Sequence, residues 1–228
     1  MAWNEIVSSV VVQPPSGVHV CILVPHWGTV SLEWVETTYG PLRFIPRLGY
    51  TKSTKLARGI LNLDTERNEL VKSGLEDKAV THFFFLDTDC ISEKPRDPNQ
   101  ALEMLLACNV PVVSGLYRAK KQKGDYQYAM WMRNPTGGEG YAPIVSWTGN
   151  FISADVIGFG AVLLKREVFE KISFPWFVWN TLKSEDFSFC EKLHQQGYEV
   201  KVFTDARFSH AGTMKVLCDS GDVHTLDV

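Results

Sequence analysis

Apolar positions in this chain gather into short unbroken runs separated by polar, periodic stretches. Val18-His19-Val20-Cys21-Ile22-Leu23-Val24 is one such run, closed by Pro25-His26-Trp27-Gly28. Thr81-His82-Phe83-Phe84-Phe85-Leu86 is a second, and Val110–Leu116 a third. Runs of this length and composition suit strands covered on both faces. Between them, Leu56–Gly74 has helical spacing, with Leu61, Leu70 and Val71 on one face. Asp97 or Asn99 caps a helix that runs through Ala107. Residues 29–50 carry Gly40, Pro41, Pro46 and Gly49 and show no clear period. Strand alternating with helix predicts an α/β fold with a mostly parallel, doubly wound sheet.

The second half reads differently. Residues 118–150 are rich in Gly, Lys and aromatics, with a turn at Pro135-Thr136-Gly137-Gly138. Ala154–Lys165 reads as one strand containing Gly158-Phe159-Gly160, followed by a short helix over Glu167–Ile172. Glu185–Gln196 is helical and stops at Gly197, a C-terminal cap signal. Tyr198–Phe203 reads as the last strand. Repeats, low-complexity tracts and linkers are absent from the sequence. One domain over 1–228 is expected, with a first half to residue 117, a second over 118–212, and a tail over 213–228.

Composition narrows the partners. The 228 residues are 45% hydrophobic, enough for a full core. A net charge of −3 gives no general attraction to nucleic acid or anionic membrane, so any phosphate binding is local. Five cysteines without a CxxC pair point to free thiols in a reducing compartment. Residues 1–16 read as a leader or edge segment ending at Pro14-Pro15. Glu5 stands where a secretory signal needs basic residues, and no stretch reads as a transmembrane span. A cytoplasmic location is expected.

Candidate chemistry begins at Asp87-Thr88-Asp89, directly after the Phe83–Leu86 strand. Ligands in open α/β sheets bind beyond the carboxyl ends of strands, and two acids there offer hard oxygen donors to a metal. Ser184 is a good N-cap for the helix opening with Glu185-Asp186, whose acids either simply suit the helix dipole, the reading favoured by this motif alone, or hold a carboxylate at the helix start as a general base. The preceding Phe174-Pro175-Trp176-Phe177-Val178-Trp179 offers an aromatic wall beside it. His210, past the last strand, adds an imidazole suited to a mixed N/O metal sphere. Arg67, in the helix before the DxD strand, is either a solvated charge or a fork reaching a pyrophosphate. Lys120, Lys121 and Lys123 form a basic run with phosphate contact as one reading.

Taken in order, these motifs resemble the nucleotide-sugar-dependent glycosyltransferases of GT-A fold, nearest their family-two-like group. Val24-Pro25, Arg67-Asn68, Leu86-Asp87-Thr88-Asp89, Val113–Tyr117, Asp155–Ala161 running into Arg166–Phe169, Glu185–Cys190, Gly197 and His210 carry the resemblance over about residues 18–212. It implies a Rossmann-like sheet with a smaller acceptor-side subregion. Asp89 and His210 would bind Mn2+ or Mg2+, with Asp87 sharing the metal or contacting the ribose. Arg67, Pro25 and Tyr117 would lie on the donor side, and Gly158, Gly160 and Trp176 on the acceptor side. Asp186 would be the base of an inverting transfer, with Glu185 second. The donor would be a UDP- or GDP-sugar and the acceptor a hydroxyl of unassigned identity. A haloacid-dehalogenase-like phosphohydrolase, a non-catalytic carbohydrate- or nucleotide-binding domain and a sugar nucleotidyltransferase are the alternatives.

Overall fold

The computed structural model describes residues 17–26, 30–47, 49–57, 59, 61–93, 97–119, 127–134, 140–210, 213–217 and 223–227. The expected leader or edge segment 1–16, the run Lys120–Lys123, the turn Pro135–Gly138 and the His210 side chain lie outside the described residues.

The aliphatic run Val18–Val24 forms β1, buried along nearly its whole length. It lies between β2 (Tyr50–Leu56) and β3 (His82–Leu86) and runs parallel to both. β3 pairs antiparallel with β10 (Ala161–Lys165), and β10 antiparallel with β5 (Val112–Leu116). The first part of β11 (Val200–His210) lies parallel to β5, and its end pairs antiparallel with β4 (Cys90–Ser92). β8 (Phe151–Ala154) adds antiparallel to β11, completing eight strands. Five of them, β1, β2, β3, β5 and β11, share one direction, so the sheet is mostly parallel with β10 reversed at its centre.

Helix α3 (Leu63–Leu75) returns from β2 to β3, and α4 (Pro98–Ala107) from β4 to β5. Asp97 caps α4, its side chain accepting from the Asn99 N–H at 2.9 Å. α5 (Arg166–Lys171) follows β10, and α6 (Glu185–Gln195) stops before Gly197, whose φ of 79° suits glycine. The aperiodic stretch 29–50 holds α1 (Leu32–Trp34), a π-helical turn (Val35–Tyr39) and α2 (Gly40–Phe44). Alternation along β3 sends Phe83 and Phe85 to the core under α3, α5 and α6, and Phe84 to the opposite core with Leu102, Leu105 and Phe208. A small sheet ordered β7 (Tyr141–Pro143), β6 (Met130–Arg133), β9 (Val156–Ile157) packs on α6. The Phe187 ring sits 5.1 Å from Trp131 and 5.4 Å from Tyr141. No described helix is long and apolar enough to cross a membrane.

Four segments differ from the sequence expectation. Tyr50–Leu56 is a strand, and the helix expected from Leu56 begins at Leu63, leaving Leu61 exposed outside it. β2 pairs residue for residue with β1, so the backbone pairing of a polar edge strand prevails over a weak helical period. The run 154–165 is not one strand: it breaks after β9, where Gly158–Gly160 pass close to Tyr117, and resumes as β10. β11 continues seven residues beyond Phe203 through a register shift before Arg207, a bulge that transfers it from β5 to β4. The expected tail contains a hairpin of β12 (Thr213–Leu217) and β13 (Val223–Asp227).

Candidate functional site

Asp87 stands where β3 ends. Its N–H donates to the Gly160 carbonyl at 2.9 Å, and its carbonyl accepts from the Cys90 N–H at 3.0 Å. These bonds close a turn over Asp87-Thr88-Asp89 and start β4. Because β1, β2 and β3 are parallel, α3 must begin at their carboxyl end and run back toward the other. Arg67, early in α3, therefore sits beside Asp87 at that end.

Arg67 is the centre of the cluster and only 2% exposed. Its Nη2 meets Asp87 Oδ2 at 3.1 Å, its Nε meets Glu185 Oε1 at 3.3 Å, and its Nη1 donates to the Phe159 carbonyl at 3.3 Å. The guanidinium also lies 5.5 Å from the ring centre of Phe85, 5.8 Å from Phe159 and 6.0 Å from Phe177. Burial opposes its charge, but the carboxylates of Asp87, Glu185 and Asp186 outweigh burial and raise its pKa. It is not a solvated helix charge: three fixed partners occupy its fork.

Glu185 is equally buried, and its Oε2 has no hydrogen-bond partner. Burial first, and the adjacent Asp186 charge second, push its carboxyl up to about 7 against the pull of Arg67. Asp186 is half-buried and accepts a hydrogen bond from the Ser184 hydroxyl. Ser184 does occupy the N-cap position of α6, but its side chain makes no capping bond because the hydroxyl is turned to Asp186.

Tyr117 is buried, and its hydroxyl accepts from the Gly160 N–H at 2.8 Å. Burial, with Cys90, Asp87 and Asp186 nearby, raises its pKa far above the ordinary phenol range. A Cβ at Gly158 would come within 2.3 Å of that hydroxyl, and one at Gly160 within 2.4 Å of Cys90 Sγ. Tyr117, Gly158 and Gly160 thus form a close-packed floor under the Asp87 turn. Pro25 is buried directly past β1. Trp176 is in the core, with its indole N–H shared between the carbonyls of Phe169 at 3.0 Å and Ile172 at 2.9 Å. The expected aromatic wall therefore lacks it; Trp179 is the exposed tryptophan of the segment.

The register pairs the backbone of His210 with Cys90, the residue after Asp89, so the end of β11 is brought alongside the DxD turn. Among the described residues, no group of three or more His, Cys, Asp or Glu side chains could hold a metal ion. Carboxylate and imidazole are donors that suit Mn2+ or Mg2+, which complete a sparse protein set with phosphate oxygens and water. A cleft of about 630 Å3 is lined by Lys55, Leu56, Ala57, Leu61, Glu66 and Leu70, and none of Arg67, Asp87, Glu185 and Asp186 lines it. It lies on the β2 side of α3, with Glu66 lining it while Arg67 turns toward the acids.

Sequence reasoning missed Asn68 as a clamp. Its Oδ1 accepts from the N–H groups of Trp176 at 3.0 Å and Phe177 at 3.1 Å, and its Nδ2 donates to the Phe177 carbonyl at 2.7 Å. An asparagine beside Arg67, in a helix otherwise rich in charge, was the available signal.

No protein-family model and no curated protein sequence matches the chain. Solved structures sharing its fold include A197 from STIV, with a TM-score of 0.58 and 18% identity over 92% of this chain and 95% of that one. GalNAc-T7, solved with UDP, GalNAc and Mn2+, gives a TM-score of 0.55 and 13% identity over 85% of this chain. The match covers 43% of the GalNAc-T7 chain. At such identities the likeness is one of fold: a mixed α/β architecture of GT-A glycosyltransferase type, its large, mostly parallel sheet flanked by helices.

Proposed function

We propose that this protein is a divalent-metal-dependent glycosyltransferase, moving a sugar from a nucleoside-diphosphate donor to an acceptor hydroxyl. One observation carries the reading: Asp87 and the distant Glu185-Asp186 pair converge around buried Arg67 at the carboxyl edge of the sheet. Ligands of open α/β folds bind at that edge. The description of GalNAc-T7 with UDP, GalNAc and Mn2+ lends support to a nucleotide donor and a divalent ion for a chain of similar fold.

Asp89 and His210 are the residues that would hold the ion, with Asp87 sharing it or contacting the ribose. A bound divalent cation supplies charge that stabilises the departing diphosphate. Arg67 fixes the Asp87 carboxylate, and Glu185 in turn fixes Arg67. Being buried and bonded to Arg67, Glu185 is a poor base; Asp186, half-buried and oriented by Ser184, takes that role. As the acceptor oxygen bonds to the sugar C1, the bond from C1 to the diphosphate oxygen breaks, and the hydroxyl proton passes to Asp186. In this reading the product has inverted configuration.

A thermal-shift panel of nucleoside diphosphates and their sugars, with and without Mn2+, tests the reading. A ligand at about 100 times its Kd adds about 2.7 kcal/mol. For a chain of this size that moves Tm by roughly 5–10 °C. Absence of any metal-dependent shift with every nucleotide would overturn the proposal.

A further inference from the structure

We infer that Trp179 is the stacking platform for the acceptor and that the acceptor is a carbohydrate; this rests on the function proposed above. The four aromatics of the 174–179 segment divide: Trp176 and Phe177 are buried in the core, Phe174 is exposed but packs edge-on against Trp176 with Lys72 over its ring, and Trp179 is 59% exposed. Its exposure is built into the chain. The Trp179 N–H donates to Asp64 Oδ2 at 3.2 Å, and Asp64 lies in the first turn of α3, at the carboxyl end of the sheet where Arg67 meets Asp87. On its other side, Asn180 Oδ1 accepts from the N–H groups of Leu182 and Lys183, each at 2.9 Å. The Asn180 N–H returns to the Lys183 carbonyl at 3.1 Å. The turn then runs straight into Ser184 and Asp186.

An acceptor hydroxyl must reach Asp186, so the rest of the acceptor lies against the neighbouring surface. That surface carries the exposed Trp179 indole, with Asp64 bonded to its backbone N–H and the polar Asn180, Lys183 and Ser184, together with exposed Leu182, following in the same turn. A pyranose matches both parts, with an apolar C–H face for the indole and hydroxyls for the polar groups. A long alkyl chain would match only the apolar part.

The test offers cellotetraose, chitotetraose and maltotetraose as acceptors, beside a serine/threonine peptide and an alkyl-linked diphosphate. It compares wild type with Trp179→Ala and Trp179→Tyr. The readout is the partition of donor between acceptor and water. Trp179→Ala is expected to shift that partition about ten-fold toward water, and Trp179→Tyr to restore most of it. An unshifted partition in Trp179→Ala, or transfer to the peptide or alkyl acceptor alone, overturns the inference. Saturation-transfer NMR without donor gives a separate reading: one of the tetrasaccharides should contact wild type and be lost in Trp179→Ala. If wild type neither transfers nor hydrolyses any donor, the proposed function falls while the NMR arm still decides sugar binding. If no tetrasaccharide contacts wild type at millimolar concentration, the sugar platform falls.

Discussion

Replacing Glu185 by glutamine separates a buried acid from its charge. Glu185 is 2% exposed, yet its carboxyl is raised from an ordinary 4.5 to about 7 by burial and by Asp186. Below about pH 4.5 it is protonated whether the chain is folded or unfolded. Between about 4.5 and about 7 the folded protein retains a proton that the unfolded chain has released. Stability therefore falls as pH rises through that window and is level above it, by at most 1.36 kcal/mol per pH unit or roughly 3 kcal/mol in all. Glutamine keeps the shape of the neutral acid and does not titrate. The stability of Glu185→Gln relative to wild type should thus rise by roughly 3 kcal/mol from about pH 5 to about pH 8. Urea unfolding of both proteins in EDTA, with equal m-values, measures the difference, and the titrations of groups that do not interact with Glu185 cancel. Parallel pH curves for the two proteins would refute the reasoning, as would a difference of opposite slope.

Three further outcomes are expected. Asp186→Ala should lower turnover about 10²–10⁴-fold with donor present at saturation, and near wild-type turnover would remove Asp186 as the base. Gly160→Ala should destabilise by about 1–3 kcal/mol in urea unfolding, because its Cβ would meet Cys90 Sγ and the Tyr117 ring; a neutral result would show that this floor yields. Asn68→Ala strips three buried backbone groups of their partner and should cost about 3 kcal/mol or more, read by the same melts. An unaltered midpoint there would contradict the clamp.

The strands legible in the sequence were those buried on both faces. Val18–Val24 and His82–Leu86 announce themselves because, apart from the half-buried His19 and His82, every position is apolar. β2 does not, since Lys52, Ser53, Thr54 and Lys55 form a polar edge whose order comes from pairing with β1. The break at Gly158–Gly160 was hidden for a different reason: the glycines answer to Tyr117, which stands 43 residues before Gly160, and local pattern does not name that partner. Within the candidate site, Asp87, Glu185 and Arg67 were each visible as single residues. Their arrangement around one guanidinium was not, because helical spacing cannot say which way Arg67 points or that three partners take up its fork. The same limit applies to the aromatics: composition marks residues 174–179 as a wall, and only packing decides that Trp176 turns inward and Trp179 outward.

Arg67 and Asn68 are neighbours on one turn of α3, projecting about 100° apart. One grips the DxD turn and the head of α6, and the other grips the chain at residues 176–177. The helix therefore acts as a shared axle. A rotation or slide that shifts Asp87 also drags the segment leading to Trp179 and Asp186. Opening one side of the site against the other would require these buried bonds to part together. Any movement of the two halves against each other therefore has these buried bonds to α3 to break.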